Sequence, residues 1–269
     1  MSPVPANPPM QNFTSMYREA ITSQEVTTGM EKSHHLTAAL YFGMAALEAF
    51  LNQKMREHLE PTSAEEEIVE RLRWGSIKSK MKDWPNELLG QPIGVDPTTW
   101  DLIESFNQLR GQLTHPKSHG QDIYDELEQI NPNLIIHAVA EYIVRYHEAE
   151  GTRFPYWIFG WQYLNPRSGS YDFLPTNETE FCVSLQALGF DAQPTEQWID
   201  RYFTTFEGYK AIKQALDSCD RCQPKHPRFP FKPMLCRRWW LPEHQQKCGH
   251  VTDEAIRQAR EFGLRRTST

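Results

Sequence analysis

The sequence predicts a mainly α protein: an antiparallel helical bundle over residues 15–150, then a smaller, irregular, cysteine- and aromatic-rich carboxy-terminal region over residues 151–269. Three observations carry this. Apolar residues return every three or four positions in successive segments. Those segments are separated by short polar links marked by proline, glycine and capping residues. No stretch before residue 150 alternates with period two for long enough to form a sheet, and no internal repeat is present.

The first 14 residues, with the proline-rich MSPVPANPPM, read as a disordered or extended tail. The clearest helix runs from Ser33, a suitable N-cap, to about Leu59. Leu36, Leu40, Gly43, Leu47, Leu51 and Met55 keep one apolar stripe in line, and Pro61 stops the run. A second helix is expected over Thr62 to Arg73, with Ser63 and Glu66 as a capping box and Glu65, Glu66 and Glu67 near the positive end of the helix dipole. A basic segment and the loop NELLGQPIGVDP follow. The next helix spans about Thr98 to Leu113 with Trp100, Ile103, Phe106 or Asn107, and Arg110 on adjacent turns. After a polar loop, a further helix opens at Pro132 and closes at Gly151. Beyond it, FPYWIFGWQYLNP reads as a buried strand or an irregular apolar segment. One helix is expected from near Thr195 through QALDS, and a last one from Thr252 to about Leu264.

The chain is long enough, at 269 residues, to bury a substantial core, and its 39% hydrophobic content is that of a globular protein. No run approaches the ~18 apolar residues of a membrane span, and the amino terminus lacks the pattern of a secretory signal. The five cysteines are therefore expected as reduced thiols in a cytoplasm. A net charge of −7 argues against general coating of nucleic acid. One local exception is RLRWGSIKSKMK, Arg71 to Lys82, which holds five bases and no acid. It reads as a solvated face or as a positive stripe for a nucleic-acid strand. Phosphate-binding glycine loops, G-x-S-x-G elbows and H-E-x-x-H helices are missing, which removes most nucleotide hydrolases, serine hydrolases and zinc proteases.

The segment LRGQLTHPKSH, Leu109 to His119, carries the main chemical candidate. An arginine with a histidine four to six residues on arises about twice by chance in such a chain. Arg221 with His226, and Arg237 or Arg238 with His244, are rival pairs in a proline-rich stretch. Arg110 differs in sitting at the end of a regular helix, with Pro116 biasing His115 away from helical angles. Residues five apart on a helix point ~140° apart, so a break at Gly111 is expected to let the two side chains converge. The alternative is a histidine that ends a helix and bonds to a carbonyl or carboxylate.

Residues 33–150 resemble a HEPN domain. AALEAFLNQKM, with Glu48 and Asn52, resembles an early family helix. WGSIKSKMKDWPNELLG resembles the lysine-containing middle segment, and LRGQLTHPK resembles the arginine–histidine motif. The resemblance implies metal-independent cleavage of RNA by a homodimer, of toxin or antiviral-defence type, with Arg110 and His115 catalytic. Lys117 and His119 would extend the positive lip, Lys78, Lys80 and Lys82 would guide the strand, and Glu48 and Asn52 would support Arg110. Glu48 and Asn52, one turn apart, are equally read as a buried polar pair fixing bundle register. Gly111 departs from the polar residue that many active members carry there, and the family also contains non-catalytic modules that bind protein or RNA.

Cys219, Cys222, Cys236 and Cys248 could hold a structural zinc, with His226, His244 or His250 as substitutes, or be free thiols. Cys182 reads as core. His34 and His35 point in different directions on their helix and read as solvent or interface residues. Trp239 and Trp240 beside Arg237 and Arg238 suit packing better than base stacking.

Overall fold

The computed structural model describes residues 7–115, 122–159, 163–164, 173–174 and 196–217. The chain divides into two compact units, with the break after Phe154. In the first, a helical bundle, α1 (Pro8–Glu25), α2 (Gly29–Leu59), α3 (Glu65–Arg73), α4 (Ile77–Leu89), α5 (Pro97–Thr114), α6 (Asp122–Gln129) and α7 (Pro132–Glu150) follow one another. No described helix is long and apolar enough to cross a membrane.

The expected tail gives way to helix from Pro8. Its prolines occupy the first helical positions, where no amide partner is needed, and Asn7 caps them by accepting from the Met10 amide at 3.0 Å. Phe13, Met16, Tyr17 and Ala20 then form a fully helical buried stripe. The long helix likewise starts earlier than expected. Thr28, not Ser33, is its cap, and Ser33 is buried and donates to Glu128 on α6 at 2.8 Å. The expected helix α3 begins at Glu65: the Glu67 carboxylate accepts from the Ala64 amide at 3.2 Å, in place of the Ser63–Glu66 box.

Helix α2 is the central rod. It lies antiparallel to α1 and α5 and parallel to α7, as shown by Met16 against Gly43, Tyr41 with Thr114, and Phe50 against Tyr146. At Gly43 a Cβ would stand 3.0 Å from Met16 Sδ and 3.3 Å from Val139, so the missing side chain lets α1 and α7 approach.

Helix α4 occupies what reads as a basic segment and loop, and it carries Pro85 in its interior. A proline there deprives the Met81 carbonyl of its helical donor. The fully buried Tyr142 of α7 replaces that donor, its hydroxyl reaching the Met81 oxygen at 2.8 Å. Burial pushes the phenol pKa up, so it stays a donor.

Two ionisable side chains are built into α7. Glu141, with 2% of its side chain exposed, accepts from the Asp96 amide at 3.0 Å and the Thr99 hydroxyl at 2.6 Å, joining α7 to the start of α5. Burial pushes its carboxyl up, but donors from His137, Thr99 and Asp96 outweigh that and hold it at about 2. Burial and the Lys54 charge lower the His147 imidazole to about 4; its Nδ1 lies 2.8 Å from Thr152 Oγ1.

In the second unit, the aromatic segment read as a buried strand or an irregular stretch holds a 3-10 turn, Tyr156–Phe159, and the short β1 (Tyr163–Leu164), which pairs antiparallel with β2 (Phe173–Leu174). The single helix expected from Thr195 is two, α8 (Glu196–Phe203) and α9 (Phe206–Asp217). The Thr205 hydroxyl accepts from the Gly208 amide at 3.1 Å, restarting the helix, while a Cβ on Gly208 would collide with Tyr202 O at 2.2 Å. Tyr209 stacks on Phe159 and Phe206 at 5.2 and 5.8 Å.

Tyr142→Phe is expected to cost about 1–3 kcal/mol in denaturant unfolding, because the Met81 carbonyl is left buried and unpaired. The cost should shrink when Pro85→Ala restores the helical donor, a double-mutant cycle that checks the assignment. Acidification should also destabilise the chain. An unfolded histidine takes its proton near 6.5 and folded His147 only near 4, so that contribution is full above pH 6.5 and lost as pH falls toward 4. Glu141 adds stability above its ordinary 4.5, lost as pH falls toward 2. Thermal midpoints of His147→Phe against pH should lack the first decline and keep the second.

Candidate functional site

The sequence-picked residues of the first unit that the structure describes fall mainly in two places. The first is a buried node around Lys80. The second is the carboxy-terminal end of α5, where Arg110 and His115 lie.

Lys80 is a correction to the expected nucleic-acid stripe: it is 2% exposed and faces inward. Its ammonium donates to Glu48 Oε1 at 2.9 Å, Asn52 Oδ1 at 3.0 Å and the Leu72 carbonyl at 2.8 Å. An ammonium has three N–H donors, so its capacity is fully used. The Trp84 ring lies 5.1 Å from the same nitrogen and covers it. Leu72 is in the last turn of α3, whose carbonyls lack helical donors, so the lysine also caps that helix. Glu48 and Asn52 therefore form a register-fixing polar pair with Lys80 as its third member. Among the described residues no hydrogen bond or ion pair joins them to Arg110, contrary to the supporting role expected for them.

The rest of the stripe is largely neutralised. Arg71 pairs with Glu87 at 2.5 Å and lies over the Trp84 ring at 5.4 Å. Lys78 pairs with Glu104 at 2.8 Å, and that hydrogen bond holds the Glu104 carboxyl below its usual range. Lys82 and Arg73 remain exposed, and Trp74, next to Arg73 in sequence, is 67% exposed.

Helix α5 begins as its sequence requires, with Asp96 accepting from the Thr98 amide at 2.8 Å and Pro97 in the first turn. Its end differs from expectation. The helix does not break at Gly111 but continues to Thr114, and the His115 amide donates to the Gly111 carbonyl at 2.9 Å. The break falls at His115 itself, whose extended φ of −131° suits a residue before proline. Gly111 is exposed, with no atom within 4 Å of where its Cβ would stand. Arg110 is half-buried and His115 exposed. Arg18, Arg56, Arg71 and Arg145 all pair with carboxylates, whereas Arg110 has no such partner among the described residues. Lys117 and His119 lie outside the described residues.

Three neighbours were given no site role by the sequence. The Tyr41 hydroxyl of α2 bonds to Thr114 Oγ1, which in turn donates to the Arg110 carbonyl at 2.8 Å. One turn before Arg110, Asn107 has a buried Oδ1 with no hydrogen-bond partner. Asn107 borders a cavity of about 40 Å³ walled by Met44, Ile77, Met81, Trp100 and Ile103. Tyr41 sits at helical spacing from Met44 and Glu48, a stripe visible in the sequence only once the buried face of α2 is fixed.

Among the described residues no cluster of histidine, cysteine and carboxylate side chains could hold a metal. Cys219, Cys222, Cys236 and Cys248, with the histidines and tryptophans near them, lie outside the described residues.

Lys80→Met keeps the aliphatic stem and deletes three hydrogen bonds, leaving a carbonyl and an amide oxygen without their donor. A loss of about 2–4 kcal/mol is expected in denaturant unfolding. Lys82→Met, at an exposed position, should stay within about 0.5 kcal/mol of wild type. Compared with protein-family models, with curated proteins and with solved structures, the chain finds no match.

Proposed function

We propose that this chain is a HEPN-like, metal-independent endoribonuclease whose centre forms at the end of α5 when two copies meet about a two-fold axis. The observation that carries the reading is the half-buried guanidinium of Arg110, without an anionic partner among the described residues, on the same helix end that His115 caps with an exposed imidazole. A phosphate is the natural counter-ion for such a planar, permanently charged group. An imidazole both accepts and donates a proton, which is the chemistry that transfer between the two ribose oxygens needs.

The chemistry follows from those groups. The ribose 2′-oxygen attacks the adjacent phosphorus while its proton passes to one imidazole. The bond from phosphorus to the 5′-oxygen breaks, and that oxygen takes a proton from the imidazolium across the dimer. A 2′,3′-cyclic phosphate and a 5′-hydroxyl result, with no atom supplied from outside. Guanidinium groups offset the charge that builds on the phosphate oxygens. Entering and leaving oxygens lie on opposite sides of phosphorus, which is why one histidine per chain calls for two chains. Gly111, exposed and without a side chain, leaves room beside Arg110 for the sugar-phosphate strand or the partner copy. The toxin or antiviral-defence setting in a cytoplasm comes from the family resemblance.

A second reading, a non-catalytic module that binds RNA or protein, is favoured by the neutralised stripe: Lys80 is buried, and Arg71 and Lys78 are ion-paired. It is also favoured by the lack of any polar side chain at position 111. The full-length chain in excess chelator should cut single-stranded RNA to cyclic-phosphate ends. His115→Ala should lower the rate by about 10²–10⁴ and Arg110→Ala by a comparable factor, without changing the thermal midpoint. Intact RNA at dimer-forming concentrations, with RNA binding equal in wild type and His115→Ala, would establish the second reading instead.

A further inference from the structure

Helix α5 ends in a turn that is weak by composition. Gly111 lies inside it, where glycine costs more backbone entropy than any other residue. Gly111 and Thr114 are exposed, and Leu113 is half-buried. Yet this turn carries both Arg110 and His115, and the second is its cap.

The proton inventory around Thr114 settles the direction of the contact with α2. A threonine hydroxyl has one proton, and Thr114 Oγ1 donates it to the Arg110 carbonyl at 2.8 Å. The bond between Tyr41 and Thr114 therefore has the phenol as donor and Thr114 Oγ1 as acceptor. A directed chain results: phenol of α2, hydroxyl of the last turn, carbonyl of Arg110. Tyr41 itself is 37% exposed, with a ring more open than most aromatic rings of the first unit, so core packing does not account for it. Around the bend in the chain, the His115 amide closes the same turn on Gly111 O at 2.9 Å.

We infer that Tyr41 is a positioning residue, a clamp that holds the glycine-weakened last turn of α5 and thereby sets the separation of Arg110 from His115. The inference rests on the reading of those two side chains as the RNA-cleaving pair, but the clamp itself is a property of the free protein. Helix α2 is the central rod of the bundle, with Leu36, Ala39 and Leu40 beside Tyr41 in sequence all buried. Anchoring to it converts a fraying terminus into part of the rigid frame.

The test is amide hydrogen exchange on the full-length chain, read at Thr114 and His115, with Leu47 in the core as internal reference. Tyr41→Phe should speed exchange at the last turn about tenfold, the size of one lost hydrogen bond, and leave Leu47 unchanged. Thr114→Val should do the same, the double variant should be no faster than either single one, and Thr114→Ser should restore the wild-type rate. Cleavage by Tyr41→Phe should fall roughly ten- to a hundredfold in kcat with KM unchanged, since the reacting groups are misplaced and not removed. Unchanged exchange at the last turn, multiplied effects in the double variant, or a rise that includes Leu47 would overturn the clamp. A wild-type chain that cuts no RNA would sink the nuclease reading, while the exchange rates still decide the clamp.

Discussion

Burying an ammonium group in the middle of a helical bundle is tolerable only if every one of its protons finds an acceptor. Lys80 meets that demand by drawing on three acceptors from two other helices: a carboxylate and an amide from α2, and a terminal carbonyl from α3. The position of α4 is thereby fixed to within hydrogen-bond tolerance, because a shift of one residue in either direction would leave a charge without partners. The next residue, Met81, ties the opposite side of the same helix to α7 through Tyr142. Two consecutive residues thus anchor α4 on both flanks, and α4 in turn presents Ile77, Lys78 and Met81 as one wall of the cavity beside α5. Polar specificity here sits inside an apolar frame, with Leu47, Leu51 and Met55 of α2 fully buried beside it.

A similar logic operates at α7. Most of that helix is buried, and its polar residues are used as joints. Glu141 seats the first turn of α5, and Lys54 of α2 meets Glu150 near its end at 2.7 Å. Each joint is a carboxylate that must remain ionised, and His147 between them must remain neutral. The bundle is accordingly built for neutral conditions, and its acid lability is a consequence of how the helices are fastened together.

How far the sequence discloses this differs from element to element. The helices from Pro97, Pro132 and the stripe of α2 are legible because caps, prolines and spacing agree locally. Helices α1 and α4 are not, and in both the misleading residue is proline. At Pro8 and Pro9 it begins a helix and does not mark a tail. At Pro85 its cost is met by a hydroxyl 57 positions away in sequence, a compensation that no local window contains. The division of α8 from α9 depends on the crowding of Gly208 against Tyr202, again a fact of packing. Lys80 shows the same limit for chemistry: within RLRWGSIKSKMK its neighbours are surface cations, and only the fold turns it inward. Arg110 and His115 were legible as residues, whereas their continuous helix was not, because Gly111 suggests a break that the His115 amide closes.

The electrostatics place a constraint on any role in RNA binding. A chain of net charge −7 repels a polyanion at long range, and the stripe that would have offset this is spent on Glu87, Glu104 and the Lys80 node. Screening confines such effects to ~8 Å at physiological ionic strength, so what remains effective is local: the exposed Arg73 and Lys82, and at the end of α5 one half-buried guanidinium without an anionic partner among the described residues, with an imidazole beyond it. A single such pair holds a phosphate weakly. In the proposed dimer, doubling it across a two-fold axis would bring two guanidinium groups within each other's range, where an anion between them would relieve their mutual repulsion. In that arrangement the phosphate completes the interface as much as the interface binds the phosphate, and selectivity resides in contact geometry instead of net attraction. In the proposed dimer the last turn of α5 would decide that geometry, which gives its attachment to α2 through Tyr41 and Thr114 more weight than its small buried area would indicate.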